Sequence, residues 1–154
     1  MKLLKVLIVF LFLNFGALLL GGLFTSSGVT SEWYTNINQA PWTPPGWLFG
    51  VAWTSIMICF SFYMTNLYCS SSNRKNVILL FALQWVLNVS WNPIFFHFQL
   101  TGLALIVISS LTLIVASFFI FYSKQNRFNR VLLSPYLIWL TIATSLNFYI
   151  FQYN

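Results

Sequence analysis

Charge is what this chain lacks most. Of its 154 residues only eight are charged, one of them acidic, and the formal net charge is +6. A soluble domain carries roughly 25% charged residues, so a chain at 5% cannot have water as its solvent. One acid (Glu32) and one histidine (His97) leave no carboxylate pair, no Ser/His/Asp set and no metal cluster. Acid–base and metal catalysis therefore have almost nothing to work with. The two cysteines, Cys59 and Cys69, form no CxxC. On one helix their spacing is about 15 Å, far beyond the roughly 7 Å limit for a disulfide, so they read as packing thiols. Basic residues occur only in short loops, which argues against nucleic acid as a partner.

What the chain has is apolar length. Hydrophobic residues make up 59% and aromatics 20%. About 20 apolar residues cross a bilayer, and five runs qualify: 3–23, 44–68, 76–97, 102–122 and 131–153. The expected fold is an all-α integral membrane protein, a five-transmembrane-helix bundle forming one domain over residues 1–154. Its partner is the lipid bilayer. Lys2 and Lys5, then Arg74 and Lys75, then Lys124, Arg127 and Arg130 fall on one side of such a bundle, and Glu32 falls on the other. The positive-inside rule places that basic side, with the N-terminus, in the cytoplasm and the C-terminus outside. The first run is too long for a signal peptide and lacks a small-x-small cleavage site, so it reads as a retained helix.

Two stretches are built rather than merely greasy. Pro41-Trp42-Thr43-Pro44-Pro45-Gly46-Trp47 reads as a stiff loop and a helix launched by Pro44 and Pro45, with indoles at its entry. In span three, Gln84, Asn88, Trp91 and Phe95 fall on one helical face. Amides and an indole do not face lipid, so this stripe points into the bundle. It is either interhelical glue or the wall of a ligand pocket, and spacing does not choose. Pro93 should kink or end that helix. Trp53, Met57, Phe60 and Met64 share a face of span two that suits core packing. In span five, Trp139 and Ala143 are one turn apart, and Tyr136, Ala143 and Asn147 share a stripe. His97, at the end of span three, reads as an interfacial hydrogen-bonding residue; axial ligation of a haem iron is the alternative, with no second ligand motif beside it. Gly16, Gly21, Gly22 and Gly102 are candidate points of close contact.

Taken together, three ordered motifs resemble the translocator protein family, the TspO/peripheral benzodiazepine receptor proteins. They are Trp33-Tyr34 with Trp42-x-Pro44-Pro45-x-Trp47 and Trp53; Gln84-x-x-Leu87-Asn88-x-x-Trp91-x-Pro93-Ile94-Phe95-Phe96; and Pro135-Tyr136-Leu137-x-Trp139 ending in Leu146-Asn147. The resemblance implies a five-helix bundle, often a homodimer, with a pocket beneath the loop joining spans one and two. It implies porphyrin ligands such as protoporphyrin IX or haem and no required cofactor. By position the pocket is lined by Tyr34, Trp53, Asn88, Trp91, Trp139, Ala143 and Leu146. It also implies an alternative activity, light-dependent porphyrin degradation, in which Trp53 and Trp139 are the catalytic pair; a structural or regulatory role without a dedicated ligand is a third reading. Gln39, Ala40, Met57 and Val107 depart from the residues common in the family. The sterol-recognition pattern is incomplete, because no basic residue follows Tyr149 or Tyr153. The short tails suit a bacterial cytoplasmic membrane, with the mitochondrial outer membrane as the family's alternative.

Overall fold

Low charge and long apolar runs produce long helices. The computed structural model describes residues 2–123 and 127–154, the side chain of residue 2 excepted. Two of the residues used to orient the bundle, Lys2 (by its side chain) and Lys124, thus lie outside what is described. The helices are α1 (Lys2–Gly28), α2 (Glu32–Asn36), α3 (Gly46–Ser70), α4 (Arg74–Asn92), α5 (Thr101–Ser117) and α6 (Arg127–Tyr153). Wide π-type turns extend α4 over Pro93–His97 and α5 over Phe118–Tyr122. Five of these rods are long and apolar enough to cross a membrane. The chain is an integral membrane protein.

The boundaries differ from expectation where local chemistry intervenes. Span one continues to Gly28, because Thr25, Ser26 and Ser27 bond back to carbonyls of the preceding turn and so remain helical. Neither Pro44 nor Pro45 lies inside α3; Pro45 is its extended cap (φ −61°, ψ 146°), and the helix proper begins at Gly46. Pro93 ends the regular part of α4 but does not stop the chain. Lacking an N–H, it leaves the ladder to widen, and the Phe98 N–H reaches the Pro93 carbonyl at 2.9 Å. The turn closes at Gln99 with φ 57°.

The five spanning helices close a ring in the order α1–α3–α6–α5–α4. Hydrogen bonds stitch its seams. Asn14 Nδ2 donates to Ser61 Oγ (2.8 Å), Thr25 Oγ1 to Asn92 Oδ1 (2.7 Å), and Trp85 Nε1 to the Leu13 carbonyl (2.9 Å). In lipid such bonds contribute about 0.6–2 kcal/mol each. Gly21 and Gly102 are close-contact points, but within the chain: a Cβ on Gly21 would lie 2.6 Å from Asn92 Nδ2, and one on Gly102 3.0 Å from the Phe151 ring. Gly16 and Gly22 face open space.

The ring's interior differs at its two ends. At the end where α3 finishes and α4 begins, an aromatic plug fills it. Phe60 stacks on Tyr63 (6.0 Å) and Phe81 (6.1 Å) and meets Tyr136 edge-on (5.2 Å). The Tyr63 hydroxyl and Ser123 both donate to the Phe118 carbonyl, freed by the wide turn of α5. All the described lysines and arginines (Lys5, Arg74, Lys75, Arg127, Arg130) border this basic end. Glu32 lies at the other, the loop end, where the pocket is expected.

Candidate ligand site

The loop between α1 and α3 is a strap rather than a slack connection. Ser31 caps α2 by accepting the Tyr34 N–H, and α2 lays Trp33 and Tyr34 onto Phe95 and Phe96. Beyond α2 the strap is tied to the end of α6. The Asn38 N–H donates to Asn154 Oδ1 (2.8 Å), Asn154 Nδ2 to the Asn38 carbonyl (3.2 Å), and Trp42 Nε1 to Ser145 Oγ (3.2 Å). Gln39 holds the Tyr34 carbonyl at 3.0 Å, and Ala40 is buried under a turn closed by Thr43. Burial pushes the Tyr34 phenol above its ordinary pKa, so it stays a neutral donor at physiological pH.

Two aromatic clusters lie beneath the strap. One joins Tyr34, Trp33, Phe95 and Phe96. The other contains Trp139 and, packed on it, Trp53, Ala143 and Phe49. Trp91 belongs to both, stacked on Phe95 at 5.0 Å. Trp53 meets Tyr136 edge-on at 6.0 Å, and Trp139 meets Phe49 at 5.2 Å. Leu146 is buried but belongs to neither cluster. The seven expected residues thus fall around the loop-end half of the ring, with Tyr34 on the strap side and Trp53, Trp139 and Ala143 deeper.

Hydrogen bonding separates the polar stripe of α4 into two kinds. Gln84 Nε2 donates to the Tyr136 hydroxyl at 2.6 Å, and Asn92 accepts from Thr25; these are glue. Asn147 Oδ1 accepts from Trp91 Nε1 (3.0 Å) while its Nδ2 donates to the Thr101 carbonyl (3.0 Å), which fixes the amide's orientation and the indole with it. Asn88 is different. Its side chain is 7% exposed, and among the described residues its carboxamide has no hydrogen bond. Trp139 Nε1 and Gln84 Oε1 are buried polar atoms without a partner. Each such atom costs about 1–3 kcal/mol, a cost a ligand's polar group can offset.

Asn147→Leu tests the indole's anchor. It should lower bundle stability by about 1 kcal/mol and shift Trp91 emission, read by denaturant titration in detergent. An unchanged midpoint and spectrum would mean that stacking on Phe95 alone holds Trp91.

Some of the site escaped the sequence reading. Phe49 was missed although it sits one turn before Trp53 on the same face. Phe96 appeared only as part of a motif, yet it forms the wall between the strap and Trp91. The Asn38–Asn154 tie has no sequence signal, since its partners are 116 residues apart. His97 makes ring contacts with Phe24 and Phe98, and no hydrogen bond of its side chain occurs among the described residues. With Ser27, Ser31 and Gln99 it lines a hollow of about 240 Å³ on the far side of Phe96. It belongs to that hollow and not to either aromatic cluster. Among the described residues no cluster of three His, Cys, Asp or Glu side chains forms a metal site. Cys59 and Cys69 are free thiols.

Comparison with known proteins supplies the remaining finding. Residues 7–153 match the model of the TspO/MBR family. A tryptophan-rich sensory protein from Cereibacter sphaeroides is 34% identical over 80% of this chain and 77% of its own length. Protein CrtK of Rhodobacter capsulatus is 29% identical over 79% and 78%. The human translocator protein is 28% identical over 80% and 75%.

Proposed function

This chain belongs to the TspO/MBR family, and from that premise we propose that it is a membrane ligand-binding protein, a sensor or carrier, that takes a flat porphyrin-type molecule between its helices. The observation that carries this reading is the unpartnered Asn88 carboxamide and the buried, unpartnered Trp139 Nε1–H, in the core cluster against which Phe49, Trp53 and Trp91 pack. A mostly apolar macrocycle suits indole and phenyl walls, and a few polar groups fix its orientation. The names of two relatives, a sensory protein and a translocator protein, agree with a sensor or carrier. Metal-free protoporphyrin IX is a better fit than haem, because an iron would need an axial ligand and His97 belongs to neither aromatic cluster. Homodimerisation remains part of the family expectation. The basic end faces the cytoplasm in this reading.

The test is a dark titration of the detergent-purified protein with protoporphyrin IX, followed by tryptophan fluorescence. Quenching should saturate in the wild type and weaken about tenfold in Asn88→Leu and Trp139→Phe, the loss expected for one buried hydrogen bond to a ligand. Unsaturable quenching identical in all three proteins would mean that porphyrin only partitions into micelles.

A second reading is favoured by Trp53, whose ring lies 6.0 Å from Tyr136. A light-excited porphyrin held there has an indole and a phenol as electron donors, as photodegradation requires. Illumination of the same samples separates the readings. A degrader consumes porphyrin in light and stops doing so in Trp53→Phe while dark binding persists.

A further inference from the structure

The two hollows at opposite ends of the bundle differ in chemistry. The loop-end hollow is lined by Ser27, Gly28, Ser31, His97 and Gln99 with Phe24 and Phe96, with no lysine or arginine among the described residues. At the basic end, the wide turn Phe118–Tyr122 borders a hollow of about 360 Å³ lined by Phe119, Ile120, Phe121 and Arg130. Ile120 and Phe121 are 56% and 76% exposed, so the hollow opens toward the surroundings of the helices. Arg130 is not a loose surface cation. Its Nε donates to the carbonyl of buried Ser123 at 3.2 Å, and its guanidinium carbon stands 5.8 Å over the Phe119 ring. The charge is thereby held on the hollow's wall.

We propose that this hollow binds one anionic glycerophospholipid, its phosphate on the Arg130 guanidinium and an acyl chain along Phe119, Ile120 and Phe121. Three features of the hollow fit such a lipid. The volume falls within the range of small-ligand pockets, about 300–1,000 Å³. Among the described residues the walls are apolar except for one anchored guanidinium, a planar cation of the kind that suits phosphate oxygens. The hollow lies at the end of the spanning helices where the described basic residues gather, which is the depth of lipid head groups; basic pockets between helices there bind anionic heads. Arg127 is exposed and lines no part of the hollow. It adds diffuse attraction only, and this separates a site from a charged rim.

The experiment titrates the whole protein, in neutral detergent, with phosphatidylglycerol, with phosphatidylcholine of the same acyl chains, and with sodium phosphate. The thermal midpoint and the lipid retained in native mass spectrometry are read. Phosphatidylglycerol should raise the midpoint saturably with one lipid retained, and phosphatidylcholine and phosphate should not. Arg130→Gln should raise the half-saturating lipid fraction about tenfold, as loss of a charge-assisted bond implies, and Arg127→Gln by less than twofold. Phe121→Glu changes an exposed side chain, leaves Arg130 in place and should also weaken binding; it decides the matter if Arg130→Gln does not fold. Equal losses in Arg130→Gln and Arg127→Gln would overturn the proposal in favour of diffuse attraction. Equal stabilisation by phosphatidylcholine, whose phosphate is balanced by its own choline cation, would overturn the selectivity for an anionic head group, and saturation by inorganic phosphate alone would remove the acyl chain.

Discussion

Phe60→Ala should lower the stability of the bundle by about 2–3 kcal/mol, the largest loss expected from any single truncation here. Phe60 is fully buried and touches Tyr63, Phe81, Phe118 and Tyr136, residues of four different helical segments. In water such a change costs about 3–5 kcal/mol, part of it transfer and part cavity. In a bilayer the transfer part largely disappears, because separated helices bury the same ring in lipid. The cavity part stays: a void on the order of 100 Å³ at about 24 cal/mol per Å³ gives about 2.4 kcal/mol. Denaturation of the detergent-solubilised protein by sodium dodecyl sulfate, followed by near-ultraviolet circular dichroism, measures it. Phe62→Ala is the control, since Phe62 is exposed on the same helix and should cost little. Equal losses in the two variants would mean that the aromatic plug is not what holds the ring together.

Gly28→Ala should destabilise the loop end by about 1–3 kcal/mol, the usual cost of overpacking, and should weaken porphyrin binding as well. A Cβ on Gly28 would run into the Cβ and ring of Phe96. Phe96 cannot simply swing its far end away, because its ring is held against Tyr34 (5.5 Å), Phe95 (4.9 Å) and Trp91 (5.9 Å). Displacing it moves the floor beneath α2 and the indole that belongs to both aromatic clusters. The comparison is Gly22→Ala, whose Cβ would meet nothing within 4 Å and which removes only a glycine from a helix. Thermal unfolding and the dark porphyrin titration, run on both variants, give the answer. If Gly28→Ala unfolds and binds like Gly22→Ala, Phe96 is not a wall of the site.

Much of this protein is legible in one dimension. One acid among 154 residues and five apolar runs select lipid as the solvent, and lipid admits helices because every backbone group must be satisfied within its own segment. The helical period places Gln84, Asn88, Trp91 and Phe95 on one face, and a stripe of that polarity turns inward, as the structure shows. Alternation of spans gathers Lys5, Arg74, Lys75, Arg127 and Arg130 at one end.

Partnership is not legible there. Gln84 and Asn88 carry the same carboxamide four residues apart, yet the Tyr136 hydroxyl hydrogen-bonds one, while among the described residues the other, though buried, has no hydrogen bond. The difference lies in which of the two the Tyr136 hydroxyl of α6 reaches across the ring, which no local pattern encodes. Likewise Gly21, Gly22 and Gly28 are indistinguishable as letters, while Asn92 closes on the first, open space faces the second and Phe96 fills the third. The same holds for the tie between Asn38 and Asn154 and for the guanidinium held at the Phe118–Tyr122 turn. Composition and period determine the solvent and the face each residue turns. Only the ring order of the helices, α1–α3–α6–α5–α4, decides which buried polar atoms find partners and which do not.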